Sequence, residues 1–330
     1  MKNIFYIAML CLFCACNSSQ NKPDVSLIFD TDMAPDYDDV GALALLHALA
    51  DSGEVSILAT VSSNKCETAV PCIDVINTYF GRPDIPIGAV RGDNAPDRTT
   101  WHSGMRWTEE LPKQFPHTLD KTSDSEDALK IYRKILSEQE DSSVTIVSVG
   151  FFTNLQNLLL SQADEYSSLS GKELVGKKVK QLVSMAGQFP SGKEYNVYVD
   201  PQASQFVVNE WPTPILFSGF EVGAAILTGK QMVESDIQGS PVVETFRMCL
   251  SQDNPDGRQS WDETAVLAAV RGKANYFDSV QGYMIVADDG SNSWVNDPEG
   301  PHAYLTIKMP IGRLTAEIEH LMMHQPVKRE

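Results

Sequence analysis

The sequence predicts an α/β protein built on a mainly parallel sheet with helices on both faces, and three observations carry that reading. From Val25 onward, short β-branched runs alternate with amphipathic stretches. The runs are continuously apolar, as strands covered on both faces are. Strand-like and helix-like segments also keep trading places along the chain, the order that builds βαβ units. With 330 residues, 42% of them hydrophobic, the chain can bury a large core. No repeat, low-complexity tract or linker interrupts it, so residues 25–330 are read as one domain.

The elements follow in order. Residues 1–16, MKNIFYIAMLCLFCAC, open with Lys2 and continue as an apolar run from Ile4 to Ala15, too short to span a bilayer and right for a secretion signal. The run ends in Phe13-Cys14-Ala15-Cys16 before polar NSSQNKPD, which resembles a bacterial lipoprotein processing site. Cys16 is then the lipidated residue, 17–24 a polar tether, and the protein exported and held in the cell envelope, periplasmic or at the outer membrane, through its acyl chains. The strand VSLIF (25–29) is followed by DVGALALLHALA (39–50), a helix apolar nearly all round and therefore buried. Next come strand 55–61, helix 67–80 and strand 85–90. The stretch from Asp93 to Ser125, with Trp101, His102, Trp107 and several prolines, is the longest irregular segment and reads as a lid or rim. Helix 126–139, strand 144–149 and helix 153–163 follow, then GKELVGKKVK, a basic island read as a solvated loop. Strand 180–185, helix 200–210, strand 213–218, helices 241–251 and 262–271, strands 283–287 and 303–309 and helix 313–323 complete the chain.

Acidic residues outnumber basic ones 44 to 26, a net charge of −18, which excludes a nucleic-acid partner held by phosphate neutralisation. Cys11, Cys14 and Cys16 lie in the leader, and Cys66, Cys72 and Cys249 remain in the body, an odd set with no disulfide framework, expected as free buried thiols. His47 reads as a structural residue of its apolar helix, and His320 with His324 as a surface pair.

The chemistry concentrates after the first strand. DTDMAPDYDD places Asp30, Asp32, Asp36, Asp38 and Asp39 within ten residues, between a strand end and a helix start, where open α/β sheets bind ligands. Two like charges 5 Å apart at an effective dielectric of about 20 repel by about 3 kcal/mol. Several such pairs require protonation or a cation. With oxygen ligands alone, the fitting cation is Ca²⁺ or Mg²⁺. The run is not an EF-hand loop, since its Gly and distal Glu are missing.

These residues resemble the inosine-uridine-preferring nucleoside hydrolase family, whose signature is a strand ending in DTDPGxDD. Further matches follow in order: ATVSSN ending at Asn64, SVGFFTNL with Thr153, SMAGQF from Ser184, KEYNVYVDPQAS with Glu194, Asn196 and Asp200, and SWDETAV with Asp262, spanning residue 25 to about 270. The resemblance implies a Rossmann-like nucleoside hydrolase fold, a Ca²⁺ cofactor, a small nucleoside or riboside as substrate and a homo-oligomer. It assigns Asp32 to the metal and to proton abstraction from water, and Asp39 to bidentate metal binding. Asp38 would contact the water and the ribose hydroxyls, and Asp30 would support the site from behind. The Thr153 carbonyl and Asp262 would complete the metal ligands, and Asn64, Glu194, Asn196 and Gln188 would contact the sugar.

Two departures stand out. The aspartate turn is two residues longer before its paired aspartates, leaving Asp36 as a further contact, and Trp261 stands where well-studied members carry the His that protonates the departing base. Trp261 stacks on a nucleobase or serves the core, and His102 is a candidate acid. The activity expected is Ca²⁺-dependent hydrolysis of an N-ribosidic bond. The alternatives are a lipoprotein that captures ribosides without turnover, and a phosphatase of the haloacid dehalogenase type, suggested by LIFDTDMA and IVADDG (285–290).

Overall fold

The computed structural model describes residues 25–99 and 106–327. Cys16, Trp101 and His102 lie outside them. Among the described residues there are thirteen strands: β1 Val25–Thr31, β2 Val55–Ser62, β3 Ile87–Ala89, β4 Glu126–Asp127, β5 Val144–Ser148, β6 Val179–Met185, β7 Ser191–Gly192, β8 Ile215–Ser218, β9 Leu227–Thr228, β10 Arg258–Gln259, β11 Phe277–Val286, β12 Asn292–Asn296 and β13 His302–Ile307. Eleven form one sheet in the order β4-β3-β2-β1-β5-β6-β8-β13-β11-β12-β7, and β9 with β10 makes a separate ribbon.

From β4 to β13 every pairing is parallel, which confirms the expected class. The edge β13-β11-β12-β7 is antiparallel. Strand β11 begins at Phe277, earlier than expected, and β12 was not anticipated. The reason is visible in β11, where Gly282, Met284 and Val286 are buried and the residues between them exposed, the alternation of a sheet wetted on one face.

Each buried strand feeds two cores. Leu27 and Phe29 of β1 join one with the helices Asp38–Asp51, Ala69–Tyr79, Trp261–Arg271 and Ile311–Met322, while Ile28 joins the other with Ala128–Glu138, Thr153–Leu160, Gly171–Lys178 and Pro201–Glu210. Among the described residues no helix is long and apolar enough to cross a membrane.

Two segments differ from expectation. The irregular stretch contains a helix, Trp107–Gln114, which buries Trp107 and Leu111, four apart on one face. The basic island is not a solvated loop: Gly171–Lys178 is a helix closed by a reciprocal Ser170–Glu173 capping box, with Leu174 and Val175 buried and Val179 opening β6.

Strand β1 is the pivot. The chain runs from it through β2 to β4 on one side and resumes at β5 on the other, so β1 and β5 flank a topological switch point. Crevices beyond the carboxyl ends of strands at such a point are where doubly wound sheets bind ligands.

Candidate active site

A cavity of about 520 Å³ opens at that position, of a size suited to a small molecule. Its wall takes Asp32 after β1, Val149 after β5, Met185 at the end of β6 and Phe220 after β8, so the ends of four parallel strands converge on it. The turn after β1 is locked by backbone bonds: Val149 N–H donates to the Asp30 carbonyl at 2.7 Å and Ser63 N–H to the Thr31 carbonyl at 2.8 Å. The β5 segment approaches so closely that a Cβ on Gly150 would stand 2.4 Å from the Asp32 nitrogen, which makes glycine the residue that fits there.

The carboxylates of the aspartate turn then separate by role. Asp30 is fully buried behind the turn, where Tyr132 donates to it at 2.8 Å and Asn154 at 3.2 Å. Burial pushes its carboxyl up to about 7, against the pull of those two donors. Asp32 and Asp38 line the cavity, together with Asp36, Glu194 and Asp262. Asp39 sits behind them, one oxygen accepting from the Thr31 hydroxyl and the other, Oδ2, buried with no hydrogen-bond partner. Burial first, and then the surrounding carboxylates, hold Asp32, Asp39 and Asp262 well above the usual range. Asp38 rises to about 7 through burial and Asp36, with Arg258 pulling the other way.

Arg258 is a site residue that reading the sequence missed. It lies in β10, just ahead of the Trp261 helix, and its guanidinium pairs with Asp36 at 2.5 Å, Asp38 at 2.9 Å and Asp253 at 3.2 Å. A knot of carboxylates requires a cation, and an Arg three residues before Trp261 was a signal that the chain carries one of its own. Lys193, Tyr195, Tyr198 and Phe220 also line the cavity without having been anticipated. Burial, then the negative charge of Asp32, pushes the Tyr195 phenol up, so it stays protonated at neutral pH.

The residues expected to hold the sugar divide. Glu194 lines the cavity and caps the helix Tyr195–Tyr198, accepting from Asn196 N–H at 2.8 Å and Gly187 N–H at 2.9 Å. Asn196 gives its amide hydrogens to the carbonyls of Val149 at 2.9 Å and Met185 at 3.0 Å, which leaves Oδ1 as the atom it can offer a ligand. Gln188 is on the wall, its backbone tied to Asn292. Asn64 is not on it. Its amide donates to the carbonyls of Asp32 at 3.0 Å and Arg98 at 2.8 Å, while Oδ1 accepts from Cys66 and Arg98 N–H groups, so this side chain fastens the aspartate turn. Thr153 also stands off the wall, its hydroxyl donating to Asp200 at 2.6 Å. Trp261 lines the cavity, with its indole N–H on the Phe220 carbonyl at 2.8 Å and its ring 5.3 Å from that of Phe220. Asp288 and Asp289, which the phosphatase reading needs, are not cavity residues; Asp289 lies 3.6 Å from Lys193.

Residues 27–307 match the family model described as inosine-uridine preferring nucleoside hydrolase. The chain belongs to this family. The pyrimidine-specific ribonucleoside hydrolase RihA of Klebsiella pneumoniae is 26% identical over 202 residues, 58% of this chain and 59% of that protein. The chain thus spans about three fifths of the length of the curated nucleoside hydrolases it matches. A solved plant nucleoside hydrolase superposes with a TM-score of 0.70 at 19% identity, covering 91% of this chain and 99% of that one. The purine-preferring ribonucleoside hydrolase of Gardnerella vaginalis gives 0.68 at 16%, covering 90% and 99%. These likenesses establish a nucleoside hydrolase fold.

The family implies a metal, and the donor chemistry here suits a hard one. Every candidate ligand is oxygen, Asp39 Oδ2 has no partner, and no ion pair among the described residues reaches Asp32, Asp39 or Asp262, since Arg258 serves Asp36, Asp38 and Asp253. Among the described residues no three His, Cys, Asp or Glu side chains close into a ready cage. The fit is one of charge and donor type.

Proposed function

We propose that the protein hydrolyses the N-glycosidic bond of ribonucleosides or related ribosides, giving ribose and free base. The observation that carries this reading is the convergence of Asp32, Asp38, Asp262, Glu194 and Asn196 on one cavity at the switch point of a nucleoside hydrolase fold. Asp32, Asp39, Asp262 and the Thr153 carbonyl are the groups that would hold Ca²⁺, which when bound lowers the pKa of water and fixes the ribose diol.

The chain's own residues supply the rest. Asp32 takes the proton of the attacking water. Asp38, Glu194 and Asn196 orient the sugar so that water faces the anomeric carbon, and the carboxylates stabilise the positive charge that develops there. Gln188 completes the sugar contacts, and Trp261 with Phe220 offers an aromatic wall to the base. Direct attack by water inverts the anomeric centre. Export and lipid anchoring through Cys16 are part of the same proposal, supported by the leader, and so is assembly with copies of itself, supported by the family.

The test is ribose release by the purified protein from a panel of purine and pyrimidine nucleosides, with Ca²⁺ and then with excess chelator. Release that chelation abolishes, and that Asp32→Asn lowers by about 10²–10⁴-fold, is expected for a lost general base. Near-normal turnover in Asp32→Asn sinks the base assignment. Nucleoside binding without any ribose release transfers the site to a capture protein.

A further inference from the structure

The aspartate turn exceeds the family signature by two residues before the paired aspartates, and Asp36 and Tyr37 stand immediately ahead of that pair. One side chain from far along the chain engages both. Arg258 Nη2 lies 2.5 Å from Asp36 Oδ2, and the guanidinium carbon is 5.1 Å from the centre of the Tyr37 ring. Tyr37 in turn donates its hydroxyl at 3.0 Å to Asp253 Oδ2, the oxygen that Arg258 Nη1 reaches at 3.2 Å. The Trp261 ring is a further support, 4.9 Å from the guanidinium carbon. Held in this way, Arg258 donates from both Nε, at 3.1 Å, and Nη2, at 2.9 Å, to a single oxygen, Oδ1, of Asp38.

We propose that Arg258 is a positioning residue for the ribosyl transfer to water, and that with Asp36 and Tyr37 it forms a clamp that holds Asp38 by Oδ1 so that Oδ2 meets the substrate. The inference rests on the hydrolase reading of the cavity. Its physical basis is that a carboxylate among like charges has no reason to keep one orientation, whereas a planar fork with fixed donors imposes one. A buried guanidinium is itself held only where several acceptors share it, and Asp36, Asp253 and Asp38 do so. The longer turn and Arg258 are then a single device: Asp36 and Tyr37 brace the arginine, and the arginine orients the aspartate. A lysine at the position would keep the charge and lose the fork.

The experiment is a double-mutant cycle on the full chain, with uridine and inosine as probes and kcat and KM measured separately. Arg258→Lys is expected to lower kcat by about tenfold or more, with KM moving less than about threefold, as misalignment of a reacting group does. Arg258→Met is expected to fall further and to recover in part with added methylguanidine. If Arg258 acts through Asp38, the double variant Asp38→Ala/Arg258→Met is no slower than Asp38→Ala alone. Multiplying losses, or an Arg258→Lys enzyme equal to the wild type, overturn the clamp while leaving the hydrolase reading intact. Should Arg258→Met not fold, as judged by circular dichroism, Arg258→Lys with its double variant decides. If the wild type binds nucleosides without releasing ribose, the same cycle read by calorimetric affinity decides, non-additive losses supporting the clamp and additive ones overturning it. A wild type that neither binds nor cleaves overturns the hydrolase reading and the clamp together.

Discussion

Ala34 shows how closely the aspartate turn is constrained. It stands where the family signature has Gly, it is fully buried, and it keeps a φ of 134°, a region L residues rarely enter. Replacing it with Gly relieves strain of about 1–3 kcal/mol. The same change gives up a buried methyl worth about 1 kcal/mol and frees the unfolded chain by about 0.5–1 kcal/mol. The expected outcome is a stability within about 1 kcal/mol of wild type for Ala34→Gly and a loss above about 2 kcal/mol for Ala34→Val, where a β-branched side chain meets both the positive φ and a packed wall. Urea midpoints at constant m-value check this, and an Ala34→Val protein as stable as wild type would show the turn to be free to relax. The aspartates of this turn were readable in the sequence because they are contiguous and a strand end displays them. Arg258 was harder to read, since it lies more than two hundred positions away and only its place three residues before Trp261 hints that it returns to neutralise them.

At the scale of elements, the helix Asp38–Asp51 ties the site to the rest of the fold. Asp38 lines the cavity at one end with Asp39 behind it, and the last turns carry His47 and Asp51 into a polar clasp. His47 Nε2 donates to Asn77 Oδ1 at 2.9 Å on the neighbouring helix, and Nδ1 accepts from Arg82 Nη1 at 3.2 Å. Asp51 accepts from Arg82 at 2.6 Å and from His324 at 2.8 Å, just past the last helix. Burial holds the His47 imidazole down at about 3, even though its bond to Asn77 pulls the other way. The unfolded chain therefore binds a proton near pH 6.5 that the folded chain refuses until about pH 3, and the His47 contribution to stability falls with acid across that window by up to about 1.4 kcal/mol per pH unit, while the raised carboxyls of Asp30 and Asp38 act the other way. Partial burial raises Asp51, but its bonds from His324 and Arg82 outweigh this and the net direction is down. A depressed carboxylate contributes above its unfolded value, so the Asp51 contribution is lost only below about pH 4. Urea titrations from pH 7 to 4 are expected to show that His47→Gln gains stability relative to wild type as pH falls, and parallel curves would remove His47 from the account. The helices over continuous apolar strands were legible from their pattern. Gly171–Lys178 was not, because four of its eight residues are charged and only the capping box and the small Leu174–Val175 face mark it as helix.

At the scale of the molecule, the parallel order of the strands is what gathers distant motifs into one place. Asp32, Val149 and Met185 are far apart in sequence, and a sheet whose strands share a direction brings their ends to one edge, where the start of the helix Trp261–Arg271 adds Asp262. That much was readable, since the rule places ligands at carboxyl ends without knowledge of strand order. The antiparallel edge and the side of β1 on which β5 resumes were not, because polar strands wetted on one face leave a weak pattern and order depends on packing of the whole. The gathering has an energetic consequence. Asp32, Asp39 and Asp262 are buried together with no paired cation among the described residues, so folding gathers their carboxylates at the carboxyl edge of the sheet. A divalent cation that binds only the folded chain stabilises it by about 2.7 kcal/mol at one hundred times its Kd. For a chain of this size that corresponds to a rise in Tm of about 5 °C. Thermal unfolding of chelated protein is expected to show such a rise on adding Ca²⁺, and Asp39→Ala is expected to abolish it whether or not a substrate has been found. A melting temperature indifferent to millimolar Ca²⁺ would mean that protonation, not a metal, balances the carboxylates, and a shift of the same size in Asp39→Ala would remove Asp39 from the ligands.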